Sequence, residues 1–236
     1  MNDANIDSDG VITLEYDQNI FDEPERIIIT GSTSSGKSSL VEKLVKKHSD
    51  KFYRIMIVGT KNELLNFPET KSKSEFFCSD KEIIYNPFIE VDRFDVKKNA
   101  GKQFLIIYDD LITQVHKSPI ISDIFMKGRH LSLSIILVMQ ALFPSGSGSL
   151  YPQIKTNSSI LIFTKIKSLS EIGLISRRLE YDKPSQVFFC NLYKDQVQNK
   201  KYGYLTVFLE SSNEKVRYVT NLIGEDNTPF LTVHTR

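Results

Sequence analysis

The chain has 236 residues, 40% of them hydrophobic and 25% charged, and its 30 basic and 29 acidic side chains leave a formal net charge of +1. That length suits one substantial domain with or without appendages, and the composition is that of an ordinary soluble globular protein. The charge balance excludes a chain that coats nucleic acid through a global positive field, so any DNA contact must be a local patch.

No apolar stretch approaches the roughly 18 residues of a membrane span, and the acidic start MNDANIDSDG argues against a secretory signal. Cys78 and Cys190 lie far apart without metal-ligand spacing, which leads us to expect reduced thiols in a cytosol-like compartment.

Residues 1–23 read as an N-terminal arm with a short strand, 24–210 as the core, and 211–236 as a C-terminal strand and tail. In the core, an apolar strand at 26–30 runs into a loop of glycines and hydroxyls, followed by a helix from about 37 to 50. Leu40, Val41, Leu44, Val45 and His48 share one face of that helix, with Glu42, Lys43, Lys46 and Lys47 on the other. Strands are expected at 52–59 and 82–85, the latter ended by Asn86-Pro87. A buried strand at 104–108 stops at Asp109-Asp110, a helix covers 119–127, and another buried strand at 133–139 ends at Gln140. A loop containing the low-complexity stretch 145–149 leads to a strand at 159–164 and a helix at 169–179. Beyond Pro184 the pattern weakens until two late strands, 204–209 and 215–220, that suit a hairpin. Alternating strands and helices of this kind predict an α/β fold, a mostly parallel sheet flanked by helices.

The loop carries the chemistry. Gly31-Ser32-Thr33-Ser34-Ser35-Gly36-Lys37-Ser38 matches G-x-x-x-x-G-K-[ST], between a buried strand and an amphipathic helix as the motif requires. Its glycines let the backbone fold into a nest of amide N–H groups at the positive end of a helix dipole, which suits a β-phosphate. Residues 31–39, Ser39 included, are thus the expected nucleotide cradle; Lys37 would reach the β- and γ-phosphates of ATP and Ser38 would ligate Mg²⁺. Asp109, at the carboxyl end of a buried strand, is the second expected Mg²⁺ contact. Asp110 stands where many ATPases place a glutamate that orients the attacking water; two turn-forming aspartates are the plainer alternative. Gln140, polar at the tip of an apolar strand, could hydrogen-bond the γ-phosphate or the water, against a simple solvent-facing strand end.

Two further expected strands between the loop and Asp109 imply a sheet of the additional-strand (RecA-like) type, with a strand inserted between the phosphate-loop strand and the Asp109 strand. A GTPase fits poorly. FTKIKS partly matches the base-reading N/T-K-x-D, but Lys167 occupies the aspartate position and no D-x-x-G follows the Asp109 strand. Nor is there the arginine-rich lid of a small-molecule kinase.

The order of motifs resembles the FtsK–HerA superfamily of ring-forming DNA-translocating ATPases, and within it the genome-packaging ATPases of double-stranded DNA viruses of poxvirus, giant-virus and virophage type. The stretches GSTSSGKSSL, FLIIYDDL, MKGRHLSLSIILVMQ and IKTNSSILIFTKIKSLSEI carry this resemblance, over roughly residues 24–180. In that family an arginine precedes the strand ending in Gln, here Arg129, and an I-K-x-N segment, here residues 154–157, opens the next strand. The resemblance implies a homo-oligomeric ring of six or five subunits threaded by double-stranded DNA, docked on a viral capsid or portal vertex. It implies hydrolysis of ATP with Mg²⁺, and an arginine finger supplied in trans, for which Arg129 is the candidate; a surface ion pair is the alternative. His130 beside it fits packing or capping. Sequence-independent DNA contacts are expected from Lys155, Lys165, Lys167, Arg177 and Arg178, and from 145–149 as a pore loop or a plain connector. The expected place of work is the host cytoplasm where virions assemble, with virion association as a further option. A cellular or plasmid DNA translocase or helicase of the same superfamily, and a non-hydrolysing nucleotide-gated adaptor, are the competing readings.

Overall fold

The computed structural model describes residues 5–6, 11–15, 20–59, 74–78, 86–87, 101–109, 118–142, 151–209, 217–220, 222 and 230–234. Among them the strands are β1 (Asn5–Ile6), β2 (Val11–Glu15), β3 (Arg26–Thr30), β4 (Phe52–Gly59), β5 (Ser74–Cys78), β6 (Gln103–Asp109), β7 (Leu133–Met139), β8 (Ile160–Phe163), β9 (Leu205–Phe208), β10 (Tyr218–Thr220) and β11 (Phe230–His234). The α-helices are α1 (Lys37–Lys47), α2 (Pro119–Lys127), α3 (Tyr151–Thr156), α4 (Leu169–Leu179) and α5 (Lys183–Tyr193). By contacts the chain divides into two units, Met1–Gln18 with Ile29–Lys37 and Ile160–Arg236, and Asn19–Ile28 with Ser38–Ser159. Strand β3 is shared: its first three residues fall in the second unit and its last two in the first.

In the second unit the strands lie in the order β3-β7-β6-β4-β5. The β7–β6, β6–β4 and β4–β5 ladders are all parallel. Strand β7 therefore separates the loop strand from the Asp109 strand, which is the additional-strand arrangement. Every residue of β7 is buried, as are Gln103 through Tyr108 of β6. This is why both segments read as unbroken apolar runs and not as alternating ones. Helix α1 buries Leu40, Val41, Leu44 and Val45, the stripe its sequence predicts. It stops at Lys47, short of the expected residue 50, because a 3₁₀ turn over Ser49–Lys51 tightens the exit into β4. Helix α2 begins where it should: the Ser118 hydroxyl accepts from the Ile121 amide and Pro119 occupies the first turn.

The entry to β3 is held from both sides. Glu25 N–H donates to Ser134 Oγ at 2.9 Å, and that hydroxyl donates to Gln103 Oε1 at 2.5 Å. On the other side Arg26 N–H donates to Ser159 Oγ at 2.9 Å, and the Ser159 hydroxyl donates to the Glu25 carboxylate.

In the first unit the order is β1-β2-β11-β10-β9-β8, and each of these neighbouring pairs is antiparallel. Next to β8 the Thr164 N–H donates to the Thr30 carbonyl at the end of β3, at 2.9 Å. Helices α4 and α5 form a hairpin whose second helix is capped by Asp182, a carboxylate accepting from Ser185 N at 2.9 Å. Phe163, Phe189, Tyr193 and Tyr218 interlock beneath it. Arg217, beside β10, places its Nη2 2.8 Å from Glu180 Oε1 at the end of α4.

Several expectations are corrected. Residues 154–157 do not open a strand: Ile154–Thr156 complete α3, and β8 begins only at Ile160. Helix α5 and the π-helical turn Lys194–Gln198 after it were not expected. Nor was β5; the strand expected at 82–85 lies outside the described residues. The late hairpin is present as the antiparallel β9–β10 pair.

His48, next after α1, packs edge-on against Phe21 with ring centroids 5.4 Å apart, and its Nε2 has no hydrogen-bond partner among the described residues. Burial, reinforced by Lys47, pulls its pKa down to about 4. The folded value lies below the unfolded one, so the full contribution holds above pH 6.5 and is lost as pH falls toward 4. We expect the wild type to lose about 2 kcal/mol between pH 7 and pH 5 from this group, and His48→Phe to flatten that slope, in urea denaturation at the two pH values.

Candidate functional site

The phosphate-loop sequence has almost nothing to bury, so its shape must come from hydrogen bonds and close backbone approach. Its residues 31–37 lie in the first unit, together with residues 164–167, the strap that leaves β8. Gly31 is buried against this strap: a β-carbon there would stand 2.0 Å from Thr164 Oγ1. Only glycine fits. The Thr164 hydroxyl lies 3.2 Å from the Thr30 carbonyl and 2.7 Å from Ser35 Oγ. Ser32 N–H donates to the Lys165 carbonyl at 2.8 Å, and Lys167 N–H donates to Ser32 Oγ at 3.1 Å. The strap is itself held from behind. Tyr193 OH donates to the Thr164 carbonyl at 3.0 Å and accepts from Ile166 N at 2.7 Å. Burial pushes the Tyr193 phenol up to about 12, so it remains a protonated donor throughout the neutral range.

Within the loop, Ser34 at φ 61° and Gly36 at φ 89° turn the chain through left-handed conformations, the backbone signature of a nest of amides. Lys37 Nζ donates to the Gly31 carbonyl at 2.7 Å and to the Ser32 carbonyl at 2.8 Å, which draws the ammonium across the loop. The amides of the first turn of α1, from Lys37 onward, have no intrahelical acceptor and carry the positive end of the helix dipole. Thr33 and Ser34 are exposed, as are Ser38 and Ser39 at the start of α1. The loop so braced is an anion cradle with one cation drawn across it, and phosphate oxygens are what it can bind.

The second unit holds the other expected groups. Asp109 ends β6, half-buried, in register with Gly59 on one side and Val138 on the other. Gln140 is exposed two residues past Val138, so it stands at the same carboxyl edge as Asp109. Asp110 lies outside the described residues, as does the loop 145–149. Arg129 belongs to the 3₁₀ turn Gly128–Leu131 that precedes β7, and it is exposed. The seven residues of β7 separate that turn from the carboxyl edge, about 20 Å at strand rise. Arg129 and Asp109 are therefore not brought together within the chain. Among the candidate DNA contacts, Lys165 and Lys167 are exposed on the strap, Arg177 and Arg178 are exposed in the last turn of α4, and Lys155 is half-buried on α3. No helix among the described residues is long and apolar enough to cross a membrane.

Sequence reasoning missed the strap. In the sequence FTKIK suggests a failed base-reading motif, a stretch of the family resemblance and two candidate DNA contacts, but not that Thr164 and the Lys165 carbonyl shape the loop. The available signal was the one used for Gln140, a polar residue at the end of an apolar strand.

The family described as Poxvirus A32 protein matches residues 14–213. The DNA packaging protein OPG160 of Variola virus is 29% identical over 133 residues, covering 52% of this chain and 48% of that protein. Its namesake from Vaccinia virus (strain Copenhagen) gives the same 29% over 133 residues. The chain thus spans about half the length of the relatives it matches. Among solved structures, the genome packaging NTPase B204 of Sulfolobus turreted icosahedral virus 2, in complex with AMPPCP, is similar with a TM-score of 0.57 at 17% identity, over 90% of this chain and 97% of that one. At that identity the likeness speaks for the fold.

Thr164→Val keeps the volume and removes the hydroxyl bonds to the loop. We expect a loss of about 1–2 kcal/mol in urea denaturation and a loop that binds ATP several-fold less tightly. Gly31→Ala should cost about 1–3 kcal/mol through the clash with Thr164 and lose nucleotide binding more severely, in calorimetric titration.

Proposed function

The chain belongs to the Poxvirus A32 protein family, and from that premise we propose that it is an ATP-driven translocase that packages a viral double-stranded DNA genome into a preformed capsid. The observation that carries the proposal is the braced phosphate loop with Lys37 across it. Support for the task comes from the family match, which spans the loop, Asp109-Asp110, Arg129 and Gln140, and from relatives named as DNA packaging proteins.

The residues present fit a magnesium nucleotide. A side-chain-free bend at Gly31, the first-turn amides at the positive end of α1, an ammonium, a hydroxyl and a carboxylate are the donor set such a ligand takes. The amides of residues 34–39 would hold the α- and β-phosphates, and Lys37 would turn from the loop carbonyls toward the β- and γ-oxygens. Ser38 and Asp109 would hold Mg²⁺, which when bound neutralises charge on the phosphate oxygens. Asp110 orients the water for in-line attack on the γ-phosphorus and accepts its proton; Gln140 senses the γ-phosphate.

Arg129 acts on a neighbour. The length of β7 keeps it from its own carboxyl edge, and its exposure suits a guanidinium that completes the adjacent subunit's site in a homo-oligomeric ring of six or five. The DNA duplex would pass through that ring against backbone-directed Lys and Arg, with Lys165, Lys167, Arg177 and Arg178 as candidates. Work would take place in the host cytoplasm, at a capsid or portal vertex.

DNA-stimulated ATP turnover tests the proposal. Lys37→Ala should abolish it, at least 100-fold, and Arg129→Ala should abolish it while ATP still binds. Mixing the two variants should restore some turnover if the arginine acts in trans. Absence of turnover in the wild type, with or without DNA, would point to a nucleotide-gated adaptor instead.

A further inference from the structure

Among the described residues five large hydrophobic side chains are conspicuously exposed, and one of them, Tyr202, is 63% exposed in the same unit as the loop. Its ring carbon Cδ1 lies 3.6 Å from where a β-carbon of Gly36 would stand, at the end of the loop that leads into α1. The ring gains little from burial there, and its hydroxyl makes no hydrogen bond among the described residues.

The turn that presents it is tightly built. Gly203 admits no side chain, since a β-carbon would fall 2.0 Å from the Gln196 carbonyl oxygen. Lys200 Nζ donates to Gln196 Oε1 at 2.6 Å, tying the turn to the π-helical segment before it. Lys201 Nζ stands 5.2 Å from the Tyr202 ring centroid, a cation held near the ring's π-face. An aromatic ring is thus fixed at the rim of an anion cradle, with a lysine beside it. A nucleoside leaving the cradle at its Gly36 end would meet that ring.

We propose that Tyr202 binds the nucleobase: its ring stacks on the base of the bound triphosphate, and Lys201 supports the ring and the adjoining sugar–phosphate. This rests on the loop binding a nucleoside triphosphate, as proposed above. Stacking needs only a π-face, so the site discriminates by base size more than by hydrogen-bond pattern. Purine triphosphates, ATP and GTP, should bind within a few-fold of one another and more tightly than pyrimidine triphosphates.

Calorimetric titration of the full chain with ATP and with inorganic tripolyphosphate, both with Mg²⁺, separates the base from the phosphates. Tyr202→Ala should weaken ATP binding about tenfold and leave tripolyphosphate unchanged, and Tyr202→Phe should bind ATP within about twofold of wild type. The chain has no tryptophan, so Tyr202→Trp introduces the sole indole. Its emission should be quenched by ATP and not by tripolyphosphate. The proposal is overturned if Tyr202→Ala binds ATP like wild type, if ATP and tripolyphosphate weaken together, or if ATP leaves the indole emission unaltered. A wild-type chain that binds neither ligand would instead overturn the phosphate-loop reading, and the role of Tyr202 with it.

Discussion

The close approach of Gly31 to Thr164 is the constraint on which the site depends. A loop of glycine, serine and threonine has little apolar surface to bury, so hydrophobic burial cannot fix its path. Here the path is fixed by the missing side chain at Gly31, which lets the strap after β8 come into van der Waals contact with the loop. The hydroxyl of Thr164 and the backbone of Lys165 and Lys167 then supply polar partners in place of water. Tyr193 holds the strap from the far side, and burial keeps its phenol protonated and therefore able to donate. Each layer removes freedom from the next, and the loop amides are left aimed at whatever anion enters.

The parallel half of the fold sorts the remaining chemistry by strand end. Parallel strands place their carboxyl termini along one edge, and β6 and β7 end there in Asp109 and, one residue beyond β7, Gln140. Arg129 enters β7 at the other end. A single subunit therefore separates its acid from its arginine by the length of a strand. The proposed ring, in which each subunit would lend its arginine to the next, would remove that separation and make turnover depend on assembly.

Much of this was legible in the sequence where local physics decides. The phosphate loop is a fixed spacing of glycines and lysine. Strands β4 and β7 and helices α2 and α4 follow from apolar runs and helical periodicity, and their bounds agree with those expected. What stayed hidden is what tertiary contact decides. Helix α3 is short, and it was the family resemblance, not the pattern of the residues themselves, that implied a strand opening at IKTN. Helix α5 has a weak stripe, Ser185, Phe189, Leu192 and Tyr193, and relies on packing against Phe163 and Tyr218. The pairing of Gly31 with Thr164 spans more than a hundred residues, and no local pattern announces it. Tyr202 was passed over for a related reason: an exposed tyrosine in a turn acquires meaning only from the loop it faces.

The central claim is that residues 31–39, held by 164–167, receive the phosphates. Amide hydrogen exchange read by mass spectrometry tests this directly, by comparing the chain with and without Mg²⁺ and a non-hydrolysable ATP analogue at saturating concentration. The account predicts slowed exchange in peptides covering the loop and the first turn of α1, with the strap 164–167 protected in both states. Bound nucleotide that leaves exchange in the loop unchanged while protecting some other segment would contradict it.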